Sequence, residues 1–156
     1  MLFEISDKDN IKSIIVNTFS NDRDLFKIYH FINNDKKQAI ADTCNKIFDA
    51  LDNYSGKFYE IIVNNISIGY ICVIKSSYLL FSFGLNSRYR NKTNKELLLS
   101  FANQLLGDNY SVFLYKKNIR AVKFLVKNGF EITQEIISDD SENNEKITVL
   151  EYSSTI

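Results

Sequence analysis

Three neighbouring runs of β-branched and aromatic residues constrain the fold of this chain more than any other feature. The runs cover residues 58–63, 66–74 and 78–85, and the short connections between them contain Asn64-Asn65 and Ser76-Ser77. Connections this short join antiparallel strands, because a parallel crossover needs a dozen or more residues. The sequence therefore predicts a three-stranded antiparallel meander at the centre of the chain.

Segments with helical spacing flank this meander. Apolar residues recur every three or four positions after Ser6 or Asp7, from Asp35, from Thr93 and after Asn118. Additional strands are predicted over residues 1–5, 110–115, 130–137 and 147–152. The predicted order is β-α-α-β-β-β-α-β-α-β-β, in the α/β (α+β) class. It indicates a mixed, mostly antiparallel sheet of about seven strands with helices on both faces.

Length and composition favour one ordinary globular domain over residues 1–156. The formal net charge is zero, so a nucleic-acid partner is not expected, and no apolar run is long enough to span a membrane. Cys44 and Cys72 lack metal-binding or redox spacing. Because no export signal opens the sequence, we expect reduced, buried thiols in a cytoplasmic protein. We also expect no metal site, and a monomer or homodimer.

Two segments resemble the GNAT (Gcn5-related N-acetyltransferase) superfamily. Residues 83–99, FGLNSRYRNKTNKELLL, are similar to the central strand, the acetyl-CoA pyrophosphate loop and the helix that follows it. Residues 114–130 resemble the Asn-x-x-Ala helix of that family, with Asn118, Ala121 and the closing Gly129-Phe130. The predicted element order is also that of the family. The chain resembles a divergent member of the type found in bacteriophages and AT-rich bacteria.

This resemblance implies acetyl-CoA as a co-substrate and transfer of its acetyl group to a primary amine, either a small molecule or a protein lysine. The pantetheine arm is expected between the strand that ends at Asn86 and the strand that ends at Lys116. The pyrophosphate is expected at the N-terminus of the helix after the basic loop, where the helix dipole favours an anion. The implied cofactor-binding residues are Leu85, Arg88, Arg90, Asn91, Lys92, Thr93, Lys95 and Asn118.

The pyrophosphate loop departs from the family pattern. Thr93 and Lys95 stand where the family has glycines, and Thr93 with Glu96 predicts a capping box that competes with a phosphate for backbone N–H groups. The cations Arg88, Arg90, Lys92 and Lys95 favour an anion at the same place. Two hypotheses therefore stay open: an N-acetyltransferase, or a GNAT-fold binding module without catalysis. A nucleic-acid binder is a weaker third hypothesis.

The common catalytic groups are absent from their expected positions. The central strand has no Asp or Glu, and Leu125 occupies the helix position that often holds a tyrosine in the family. Tyr115 and Tyr89 are the nearest phenols, and Tyr115 is the candidate proton donor to the leaving thiolate. Each of these tyrosines has packing as an alternative role. The backbone N–H near Leu85 is a candidate group to polarise the thioester carbonyl.

Two other features concern the amine acceptor. His30 is the only histidine, and it is either a base beside the acceptor or a structural residue. A predicted hairpin tip carries Asp139, Asp140, Glu142 and Glu145. Its charge suits a cationic amine, such as a lysine side chain or a polyamine, and it is equally consistent with a solvated loop.

Overall fold

The computed structural model describes residues 1–22, 36–137 and 146–153. Its strands are β1 (Leu2–Ile5), β2 (Lys57–Val63), β3 (Ile66–Ile74), β4 (Leu79–Leu85), β5 (Asn109–Tyr115), β6 (Phe130–Ile137) and β7 (Lys146–Ser153). The helices within these ranges are α1 (Lys8–Phe19), α2 (Lys36–Asn53), α3 (Lys92–Leu106) and α4 (Ile119–Lys127).

The strands form one seven-stranded sheet in the order β1-β2-β3-β4-β5-β7-β6. All neighbouring strands are antiparallel except β4 and β5, which are parallel and are joined through α3. The predicted fold class, element order and central meander are confirmed. The strand β7 lies between β5 and β6, so the last hairpin extends the sheet on the far side of β5.

The turns of the meander follow from local backbone preferences. Asn64 and Asn65 both have positive φ, at 51° and 65°, as a tight hairpin between right-twisted strands requires, and asparagine tolerates this conformation. The second connection differs from the prediction. A short 3₁₀ turn, Lys75–Ser77, leads to Tyr78 in the left-handed region at φ 49°, so β4 begins at Leu79.

Two apolar clusters hold the helices on opposite faces of the sheet. On one face, Ile11 and Ile15 of α1 and Ile47 of α2 pack on Phe58 and Tyr70. On the other face, the apolar sides of α3 and α4 cover residues of β2 to β5 and β7. Both clusters include fully buried side chains, whose transfer from water contributes about 1.5–3 kcal/mol each to folding.

A glycine allows β3 to approach β4 closely near the end of the meander. Gly69 pairs with Leu85, and a Cβ atom at Gly69 would lie 2.0 Å from the carbonyl oxygen of Gly84. No other residue fits there without a shift of the backbone of β4. The fold therefore requires glycine at position 69 of β3, next to the C-terminal end of β4.

Both cysteines are free and buried, as predicted. Burial raises the pKa of the Cys72 thiol to about 12 and also raises that of Cys44, against a smaller opposing effect of Lys12. We expect a thiol reagent such as DTNB to leave both cysteines unmodified in the native protein and to label both in denaturant. Native labelling at neutral pH would contradict this burial.

The same shift has a pH consequence. The unfolded chain loses the Cys72 proton above about pH 9, whereas the folded chain keeps it up to about pH 12. The unfolded state then binds fewer protons, so this thiol lowers the free energy of unfolding as the pH rises through that range.

Candidate active site

The parallel strands β4 and β5 separate after a very short contact. They pair only at Leu79 with Ser111 and at Leu80 with Val112. The next residue of β4, Phe81, is a bulge, since Leu80 opposes Val73 of β3 and Ser82 opposes Cys72. A bulge bends its strand and increases the local twist, which turns the rest of β4 away from β5. The two strands between which the resemblance places the pantetheine arm therefore separate beyond this contact.

A cavity of about 480 Å³ occupies this opening, and it has the size of a small-molecule site. We call it the cleft. Its lining falls into two walls, one on each face of the sheet. The α1–α2 wall includes Phe19, Thr43, Lys46, Ile47, Tyr70 and Phe81. The α3–α4 wall includes Leu85, Lys95, Leu98, Asn118, Ala121 and Phe124.

Asn118 connects the end of β5 to α4. Its backbone N–H donates to the carbonyl oxygen of Tyr115 at 2.9 Å, and its side-chain oxygen accepts from the N–H of Ala121 at 3.3 Å. It is thus the N-cap of α4, and it also lines the cleft, where the resemblance places a cofactor-binding residue.

A buried ion cluster lies at the edge of the cleft. The guanidinium of Arg90 donates to the carboxylate of Asp22 at 3.0 Å and to the carbonyl oxygen of Leu85 at 2.9 Å. Arg120 lies 3.5 Å from the same carboxylate oxygen. The Asp22 side chain is 5% exposed and that of Arg90 is 17% exposed. This cluster joins the end of α1 to both segments that border the cleft, β4–α3 and α4.

The cluster changes the expected role of Arg90. The sequence predicted that Arg90 would hold a phosphate, but in the structure its guanidinium bonds to Asp22 and to the end of β4. Asp22 and Arg120 were not identified from the sequence. No local pattern indicated them, because Asp22 and Arg90 are 68 positions apart.

The other cations of the basic loop lie in different places. Lys95 lines the cleft, with its ammonium 5.7 Å from the centre of the Phe124 ring. Lys92 is exposed and lies 4.0 Å from Glu96. Arg88 is exposed and lines a separate depression beside Asn17 and Asn86. Of the four predicted cations, Arg90 and Lys95 line the cleft.

The predicted capping box at the start of α3 is wrong. The N-cap is Asn91, whose side-chain oxygen accepts from the N–H of Asn94 at 2.9 Å. Asn94 in turn donates to the carbonyl oxygen of Tyr89 at 2.8 Å, and this fixes the start of the helix. Thr93 is an exposed residue of the first turn and does not cap with Glu96. Asparagine and threonine both cap helices well, and here Asn91 caps α3 instead of Thr93.

Tyr115 contacts α2 across the opening of the cleft. Its phenol oxygen accepts a hydrogen bond from the ammonium of Lys46 at 2.6 Å. Both residues line the cleft, whereas Tyr89 packs partly buried against the core under α3 and α4. Leu125 is fully buried in that core. Among the two candidate phenols, only Tyr115 lies at the cleft.

The acid–base inventory of the cleft is small. Within residues 1–22, 36–137 and 146–153, the carboxylates that line it are Asp22, bonded to two arginines, and the exposed Asp49. The hydroxyl groups of Tyr70 and Ser82 are 2.8 Å apart. In that same part of the chain, no group of three or more His, Cys, Asp or Glu side chains lies together as a metal site.

Two predictions fall outside the described residues, namely His30 and the acidic group Asp139, Asp140, Glu142 and Glu145. In the part of the chain that the structure does describe, no helix has the length and hydrophobicity that a bilayer span requires.

Comparison with solved structures identifies the fold. An acetyltransferase of the GNAT family from Streptococcus pneumoniae aligns over 98% of each chain with 14% identity and a TM-score of 0.60. The PaiA N-acetyltransferase of Thermoplasma acidophilum, solved with coenzyme A, aligns over 98% of each chain with 18% identity and a TM-score of 0.59. A chimera of the spermidine N-acetyltransferase SpeG from Vibrio cholerae and hSSAT aligns over 98% of this chain and 94% of its own, with 10% identity and a TM-score of 0.61.

No protein-family model matches the sequence, and no curated protein sequence matches it. The similarity therefore lies in the fold: this chain has the GNAT fold over nearly its whole length, with a sequence that has diverged far from these solved structures.

Proposed function

We propose that this protein is an N-acetyltransferase that transfers the acetyl group of acetyl-CoA to a primary amine. The observation that carries the proposal is the cleft between β4 and β5, which passes through the sheet at the place where those strands separate. A pantetheine arm fits such an opening because it is long, narrow and able to hydrogen-bond to strand backbone as an added strand does. The solved PaiA enzyme with the same fold binds coenzyme A.

The α3–α4 wall is the cofactor side in this proposal. Asn118 at the start of α4 and the backbone near Leu85 contact the pantetheine arm. Lys95 supplies a positive charge to the phosphates, together with Asn91, Lys92 and Thr93 at the start of α3, where the helix dipole also favours an anion. Arg90 acts indirectly, since it holds the carbonyl group of Leu85. Arg88 faces a separate depression, and we assign it no phosphate.

The α1–α2 wall is the acceptor side. The amine reacts in its neutral form: its nitrogen attacks the thioester carbonyl carbon, and the C–S bond breaks. The leaving thiolate takes one proton, and the nitrogen gives up one proton, to the group that protonated the thiolate or to water, as the amide forms. Tyr115 is the proposed donor of that proton, because its phenol lies at the opening and its oxygen accepts from the Lys46 ammonium. The ammonium also stabilises the phenolate that the transfer creates.

The first test is a thermal-shift titration with acetyl-CoA, with ATP as the control for loose anion binding. Acetyl-CoA at 100 times its dissociation constant adds about 2.7 kcal/mol to the free energy of unfolding, which is easily measured. A large shift with acetyl-CoA and little with ATP supports the proposal. Equal shifts, or none in a folded protein, would favour the GNAT-fold binding module without catalysis.

Lys95→Ala is expected to weaken acetyl-CoA binding about 10-fold, since one charge-assisted contact to phosphate is worth about 1.5–3 kcal/mol. Isothermal titration calorimetry measures the change. Lys127→Ala is the matched control, because Lys127 is an exposed lysine at the end of α4 and does not line the cleft. Equal effects of the two substitutions would contradict a phosphate contact of Lys95.

A further inference from the structure

The α1–α2 wall is apolar and aromatic where the acceptor would bind. It is lined by Phe19, Ile47, Tyr70 and Phe81. The rings of Phe19 and Tyr70 pack edge to face, with their centres 6.1 Å apart. Such a surface gains free energy when it covers the hydrocarbon or aromatic part of a ligand.

The polar atoms of this wall already have partners within the protein. The Tyr70 hydroxyl pairs with Ser82 at 2.8 Å, and the Thr43 hydroxyl donates to the carbonyl oxygen of Ala39 at 2.9 Å. An apolar ligand therefore buries this wall without leaving these groups unsatisfied.

The charges that line the cleft do not favour a ligand with several ammonium groups. Among the described residues, the lining has four cations, Lys46, Arg90, Lys95 and Arg120, and two carboxylates, Asp22 and Asp49. Asp22 is already neutralised by Arg90 and Arg120.

The carboxylate of Asp49 is exposed, where water and salt screen it, and Lys46 lies three residues before it on α2. Lys46 is half-buried, and Tyr115 holds its ammonium at the opening of the cleft. Among the described residues that line the cleft, a second ammonium on the acceptor meets this cation, and the only buried carboxylate is that of Asp22, which Arg90 and Arg120 already contact.

We propose that the acceptor is a monoamine with an apolar or aromatic body, and that Lys46 excludes amines that carry a second ammonium group. The proposal rests on the acetyltransferase function proposed above, and it names the substrate class of the same site. It differs from the polyamine acceptor suggested by the acidic loop in the sequence, and it separates this chain from the spermidine enzyme with the same fold.

The test compares amines that differ in one respect. Butylamine and 1,4-diaminobutane have the same length and differ in one ammonium group, whereas phenethylamine adds an aromatic body to a monoamine. Binding to the complex with coenzyme A is measured by calorimetry at physiological salt, and acetylation is measured separately. We expect butylamine to bind about 10-fold more tightly than diaminobutane, and phenethylamine about 10-fold more tightly than butylamine.

Variants at Lys46 separate the contribution of its charge from that of the apolar wall. Lys46→Met keeps the length and apolar stem without the charge, and it should remove most of the preference for butylamine over diaminobutane. Lys46→Glu should reverse that preference. Both variants should retain the preference for phenethylamine, which depends on the wall. Lys127→Met is the control for loss of a lysine elsewhere, and circular dichroism checks that each variant folds.

Each outcome bears on the proposal. The proposal is overturned if diaminobutane or spermidine binds to the wild type as tightly as butylamine. It is also overturned if a longer acyl-CoA outcompetes acetyl-CoA while phenethylamine binds no more tightly than butylamine. The second result would assign the wall to the acyl chain. Selective monoamine binding without any acetyl transfer would sustain the ligand class of this wall and refute the acetyltransferase function.

Discussion

Asp22→Ala is expected to lower the free energy of unfolding by about 3 kcal/mol, although Asp22 lies on no predicted motif. The substitution leaves the largely buried guanidinium of Arg90 without its carboxylate, and removal of one partner from a buried pair typically costs about 3–5 kcal/mol. Because Arg90 is still partly exposed, we expect a loss in the free energy of unfolding at the lower end of this range. The half-exposed Arg120 adds little to that loss. Urea denaturation measures the change as a lower midpoint with an unchanged m-value.

Two controls identify the origin of this effect. Arg90→Met combined with Asp22→Ala should recover part of the loss, because it removes the buried charge that the single substitution leaves unpaired. Lys8→Ala breaks a surface pair with Asp52 whose side chains are both about half exposed, and it should cost less than about 1 kcal/mol. If Asp22→Ala costs no more than Lys8→Ala, the ion cluster does not stabilise the fold.

Tyr115→Phe is expected to lower kcat about 100-fold and to leave the KM for acetyl-CoA nearly unchanged. General acid catalysis contributes about 10²–10⁴-fold, and the substitution removes the donor while it keeps the ring. Steady-state kinetics with a monoamine acceptor measures both constants.

Tyr89→Phe is the matched control for loss of a phenol, because Tyr89 does not line the cleft. It should retain kcat within about 3-fold, as expected for a group that makes no contact in the transition state. A Tyr115→Phe variant as active as the wild type would make Tyr115 a packing residue and leave water as the proton donor.

The fold was predictable because its decisive signals are local. Two asparagines that tolerate positive φ join two β-rich runs, so Asn64 and Asn65 specify a hairpin wherever the rest of the chain lies. The apolar spacing of α1 to α4 likewise depends only on neighbouring residues. The start of α3 was predicted wrongly, because Asn91 and Thr93 both suit an N-cap and only the contact of Asn94 with Tyr89 selects the first.

The site was predictable only in part, for the same reason. Asn118 was identified because the Asn-x-x-Ala pattern that carries the resemblance is local, and its capping bond likewise lies within its own helix. The contacts of Arg90 with Asp22 and of Lys46 with Tyr115 join residues 68 and 69 positions apart, and nothing in the local sequence indicates such partners. Charge alone identified Arg90 as a cation near the cleft and could not show that the protein itself neutralises it.

The two paired positions between β4 and β5 have a mechanical consequence. Within the part of the sheet that the structure describes, strands β1 to β4 form one half and strands β5, β7 and β6 form the other. The two halves share strand pairing only at these two positions, and α3 connects them. A ligand arm that bonds to both strand edges would complete the sheet as a strand of another molecule. When the cofactor is bound, local opening of β5 would then require local opening at the end of β4. Amide exchange in β5 would therefore slow together with amide exchange at the end of β4.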